Sequence, residues 1–139
     1  MLEEARGFLS TFNWCRRTEE SYFGIGYADI LAVFLFRISP ACTGVDDWLW
    51  VVVGDLPNAY LVTEGNLTPE LAVDGYVYEM SRWVEAAKDG RPVEDLIPVN
   101  VAPTQENAEA LERRLRALKE IVKDAIELQR SKRVSREVH

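Results

Sequence analysis

Histidine is almost missing from this chain. There is one among 139 residues, and it is the last, His139. Imidazole is the usual proton shuttle near neutral pH, and a terminal residue is seldom held in a fixed geometry. Ser–His–Asp and Cys–His catalysis are all but excluded on that ground. Cysteine is scarce too: Cys15 and Cys42 form no CxxC pair and read as reduced thiols. Two thiols and one terminal imidazole cannot fill a zinc site of the common kinds. No Walker-type lysine loop is present, and Gly24-Ile25-Gly26 lacks the third glycine of a dinucleotide fingerprint. The longest apolar run, residues 30–36, falls far short of the ~20 residues that a membrane helix needs. Residues 1–17 open on Glu3 and Glu4 instead of a basic leader. These absences predict a cytoplasmic protein that is not membrane-bound. Without a secretory leader, the glycosylation pattern Asn66-Leu67-Thr68 reads as chance.

What is present is an ordinary globular composition, 47% hydrophobic and 28% charged, with four Trp, five Tyr and five Phe. A chain of this length makes one domain. It buries roughly 65–70% of its unfolded surface, so it needs no disulfide or metal to hold a core. The net charge of −7 is unevenly spread. Residues 130–139 carry Arg130, Lys132, Arg133 and Arg136 against Glu137, which leaves −10 on residues 1–129. An acidic body lacks the clustered Lys and Arg that phosphate backbones require, so no nucleic-acid binding is expected. It suits a basic protein partner.

The pattern predicts an α+β fold. Residues 29–38, 47–54 and 59–63 read as strands, rich in aromatic and β-branched residues. Their connections are too short for parallel crossovers, so they form an antiparallel meander. Ile30, Ala32, Phe34, Phe36 and Ile38 face one way; Leu31, Val33 and Leu35 face the other. Trp48-Leu49-Trp50-Val51-Val52-Val53 is likewise apolar on both sides. Residues 18–27, with Tyr22, Phe23 and Tyr27, fit either a fourth, edge strand or a loop. Residues 1–17 read as a helix through Leu2, Ala5, Leu9 and Phe12. Thr68-Pro69-Glu70 starts a helix that Gly90 ends, with Val73, Tyr76, Val77, Met80, Trp83, Val84 and Ala87 as its stripe. Residues 97–103 are an extended connector. Thr104 caps a last helix to about Gln129, with Ala108, Leu111, Leu115, Leu118, Val122 and Ala125 at seam spacing. A short antiparallel sheet of three or four strands is thus packed by an N-terminal helix and two long C-terminal helices. The domain spans residues 1–129, and 130–139 form a basic, flexible tail.

Carboxylates are the abundant reactive groups. Asp46, Asp47 and Asp55 flank the second strand and could meet around a hard cation such as magnesium. Turn aspartates more often cap backbone amides. Trp48 and Trp50, two apart, project to one side of their strand. They belong either to the core or to a partner-binding aromatic patch. With Tyr60, Tyr76 and Trp83 they could line a cavity between the sheet and the two long helices. No cofactor motif is evident.

The run Trp48-Leu49-Trp50-Val51-Val52-Val53-Gly54-Asp55-Leu56-Pro57, then Ala59-Tyr60-Leu61-Val62, Ile97-Pro98-Val99-Asn100 and the Leu111…Leu115 helix, resembles a group of small uncharacterised bacterial α+β proteins. The resemblance spans residues 22–126. It implies the fold and no catalytic residue, since no activity is attached to that group. The residues favour a non-enzymatic interaction or regulatory domain, such as an immunity-type partner of a basic toxin. The alternatives are a carboxylate metalloenzyme and a binder of small apolar ligands. Because the sheet is apolar on both faces, its second face needs either residues 1–17 or another subunit, and a homodimer is expected.

Overall fold

The computed structural model describes residues 1–40, 47–64 and 68–137. The centre of the turn between Pro40 and Asp47, with Cys42, Gly44 and Asp46, lies outside the described residues, as do Asn66 and His139. Among the described residues, three helices and four strands follow in the order α1 (Leu2–Ser10), β1 (Cys15–Tyr27), β2 (Leu31–Pro40), β3 (Trp48–Gly54), β4 (Ala59–Val62), α2 (Pro69–Asp89) and α3 (Gln105–Glu137). The strands make one antiparallel meander, β1-β2-β3-β4. The expected α+β architecture is present, with four strands.

Alternation along β2 and β3 builds two hydrophobic layers. Ala32, Phe34, Phe36 and Ile38 join Leu49, Val51 and Val53 on one face, beneath Ala5 and Leu9 of α1. Leu31, Val33, Trp50 and Val52 occupy the other face. There they meet Ala72, Val73, Tyr76, Met80, Trp83 and Val84 of α2, with Ala108, Leu111, Leu115 and Leu118 of α3 behind. The strand phases are as expected except at Ile30, which precedes β2 and packs with the α2–α3 layer. α1 has only nine residues, fewer than the ~12–15 an isolated helix needs in water. It is held by docking, and a fully buried Leu such as Leu9 supplies roughly 1.5–3 kcal/mol. Because α1 covers the second face, a partner subunit is not needed to shield it.

Two boundaries differ from expectation. The first helix does not reach Arg17. It closes at Thr11, where the Thr11 and Phe12 amides donate to the carbonyls of Phe8 and Leu9. Cys15 and Arg17 instead enter β1, opposite Pro40 and Ser39. Long-range pairing with β2 overrides the local helical spacing there, and residues 21–27 prove to be strand. The last helix passes Gln129 and runs to Glu137, since no Gly or Pro follows Pro103 to break it. The caps fall where the sequence puts them. Thr68 Oγ1 accepts from the Leu71 amide, Gly90 ends α2 in the left-handed region, and Thr104 Oγ1 accepts from the Asn107 amide.

Gly54 ends β3 with φ +144°, where a Cβ would stand 2.1 Å from the Ile30 carbonyl oxygen. That contact is with backbone, which cannot step aside. Gly54→Ala should therefore cost about 3 kcal/mol or more in urea denaturation, from strain and overpacking together. Gly7→Ala, in the open interior of α1 where an added Cβ meets nothing within 4 Å, should gain roughly 0.5–1 kcal/mol.

Candidate functional site

The turn after Gly54 sets the position of β4, and three contacts pin it. The Asp55 amide donates to the Ile30 carbonyl at 2.8 Å. Arg114 of α3 donates to the Asp55 carbonyl at 3.3 Å. The Tyr76 hydroxyl of α2 donates to the Pro57 carbonyl at 2.6 Å. Pro57 has no amide to donate, and its carbonyl is satisfied by a fully buried phenol. Sheet, α2 and α3 thus all hold the chain that leads into β4.

β4 is an edge strand: in the sheet formed by the described residues its neighbour is β3. A groove of about 1010 Å³ runs along its outer side. Glu4 and Phe8 of α1, with Phe12 just beyond its end, form one wall. Gly75 and Glu79 of α2, with residues 95–100 of the connector, form the other. Residues 57–62 make the floor, and Gly54 lies at one end. The aromatic wall is continuous: Phe12 sits 5.1 Å from both Phe8 and Tyr60 and stacks at 4.9 Å on Trp14. Opposite, Leu96, Ile97 and Val99 pack against the α2–α3 core and fix the connector in place. Three carboxylates, Glu4, Glu79 and Asp95, border the groove, and no described residue that lines it is Lys or Arg. Glu79 also pairs with Arg82 at 3.6 Å, on the exposed side of α2.

The five aromatic candidates do not line one cavity. Trp50, Tyr76 and Trp83 are buried in the layer between the sheet and the helices, which they fill. Trp48 is partly exposed at the other end of the sheet and stacks on Tyr22 at 6.2 Å. Tyr60 faces the α1 side and is the one of the five that lines the groove. The carboxylates expected to share a cation are also separated. Asp46 lies outside the described residues. Asp47 and Asp55 flank β3 at its two ends, roughly 26 Å apart for an extended strand. Among the described residues no group of three acidic, His or Cys side chains is placed to hold a metal. Nor is any helix of the described residues long and apolar enough to cross a membrane.

Sequence reasoning missed Glu4, Phe8, Glu79 and Asp95, which lie on three separate segments. The available signal was the extended character of Ile97-Pro98-Val99-Asn100, without any indication that it faces β4. Compared with family models, curated proteins and solved structures, the chain matches none of them.

Burial pushes the Tyr76 phenol well above its ordinary value. Burial also raises Tyr27, helped by the nearby Glu70 and Asp74 carboxylates. A folded-state pKa above the unfolded one means that the associated stability is intact below about pH 10 and declines as pH rises past it, by about 1.4 kcal/mol per pH unit for each group. Tyr76→Phe should lower stability at pH 7 by about 1 kcal/mol through the lost hydrogen bond. It should also flatten the alkaline decline. An unchanged slope above pH 10 in denaturation of the variant would show that Tyr76 does not titrate with unfolding.

Proposed function

We propose that this protein is a non-enzymatic interaction domain that holds an extended, basic segment of a partner protein in the groove along β4. The observation that carries this reading is the composition of the groove. Its apolar walls are bordered by Glu4, Glu79 and Asp95 with no described base among the lining residues. Apolar walls supply area to bury, and charge of one sign selects the partner and speeds its approach. The −7 net charge of the chain works in the same direction at longer range. A groove of this kind suits a protein that masks or regulates a basic partner, as an immunity-type protein does.

The same acids argue against a second copy as the occupant. Two copies meeting at this edge would bring six carboxylates together, and like charges at an interface cost affinity.

The test uses a blocked peptide of alternating lysine and valine, with its glutamate–valine counterpart as control. The lysine peptide should bind, weaken with added salt, and shift the amide resonances of β4 and the connector. The triple variant Glu4→Lys, Glu79→Lys, Asp95→Lys should lose about tenfold or more in affinity, each exposed pair being worth roughly 0.2–1 kcal/mol. Equal binding of both peptides, or binding indifferent to the three reversals, would refute the reading.

A further inference from the structure

The two edges of the sheet are built differently. β1, at one edge, is 13 residues long and carries Arg16, Arg17, Glu19 and Glu20. Its pairing with β2 slips at three places, between Cys15 and Arg17, Thr18 and Glu20, and Phe23 and Ile25. Its carboxylates stay charged. Arg17 and Ser39 hold the Glu19 carboxyl below the usual carboxylate range, and Arg37 and Tyr22 do the same for Glu20. Bulges and charged side chains are the devices by which native sheets refuse an added strand.

β4, short at four residues, has neither bulge nor charge. Ala59-Tyr60-Leu61-Val62 contains no charge, proline or glycine. It pairs with β3 in unbroken register, Val52↔Ala59 to Leu49↔Val62. Its side chains already serve both layers, with Ala59 and Leu61 in the α2–α3 layer and Tyr60 in the α1 layer. The groove runs along this edge between its two walls. An extended chain lying there would continue the alternation. Its side chains would point in turn toward Phe8 and Phe12, and toward Leu96 and Ile97.

We infer that the partner's basic segment joins the sheet as a fifth strand, pairing its main chain with β4 at residues 59–61. This rests on the reading of the groove as a partner site and specifies how the site works. Main-chain bonds give affinity without regard to sequence. The two walls and the acids Glu4, Glu79 and Asp95 then select a strand that alternates apolar and basic residues.

The experiment uses the full chain and the lysine–valine peptide in three forms: unmodified, N-methylated on its odd residues, and N-methylated on its even residues. In an added strand, alternate amides face β4 and alternate amides face solvent. One methylated form should therefore bind at least about tenfold more weakly while the other stays within about threefold of the parent. The unmodified peptide should also slow hydrogen exchange at residues 59–61. If both methylated forms bind like the parent, or both weaken alike with no slowed exchange, strand addition is wrong while the groove remains a partner site. If the unmodified peptide does not bind at the groove, both readings fall. If light scattering shows a dimer at micromolar concentration that the peptide dissociates, the edge belongs to a second copy and the inference is overturned.

Discussion

β2 and β3 carry hydrocarbon on both faces, and burial of that surface organises the rest of the molecule. A sheet with one wet face needs one layer of cover, whereas this one needs two. The long helices α2 and α3 supply the thicker layer, through Tyr76, Met80, Trp83 and Leu118, all buried. The second layer falls to α1, too short to persist unaided and held through Ala5 and Leu9. The packing of α2 on the sheet is equally close at β1. Gly24 of β1 lies where an added Cβ would meet the Val33 carbonyl, Pro69 and Trp50 within 3.1 Å, so α2 starts directly against the sheet.

The groove is a by-product of that two-sided cover. α1 and α2 lie on opposite faces, and each presents side chains along the edge made by β4. Phe8 of α1, with Phe12 just after it, and Glu79 of α2 stand on either side of it. Residues 95–100 deepen the second wall because Leu96, Ile97 and Val99 are drawn onto the core. The floor holds its position because the turn before it is tied by Tyr76, Arg114 and the Ile30 carbonyl. A rigid edge costs a partner strand less ordering than a mobile one. The opposite edge, with its bulges and its Arg37–Glu20 and Arg17–Glu19 pairs, is poorly suited to an added strand.

Much of the fold was legible in the residues. β-Branched and aromatic runs marked β2, β3 and β4, and Thr68, Pro69, Gly90 and Thr104 marked the helix ends, because these signals act over three or four residues. β1 was half-legible. Cys15-Arg16-Arg17 continues the helical spacing of residues 2–12, and only the ladder to Ser39 and Pro40 makes it strand. The groove was hardly legible at all. Tyr60 was singled out, but as a neighbour of Trp50 and Tyr76, which lie on the other face of the sheet. Strand parity places Tyr60 opposite in phase to Ala59 and Leu61. It does not say which helix covers each face, and so it could not bring Tyr60 to Phe12.

By itself, the amino-acid order determined that the central strands would be wrapped in hydrocarbon on both sides. That follows from the residues that occur and their spacing along the chain. Only the tertiary structure decided that a nine-residue helix would serve as the second cover and that Glu4, Glu79 and Asp95 would border one edge. Those are meetings between segments tens of residues apart. They are set by which surfaces must leave water together, and no local propensity encodes them.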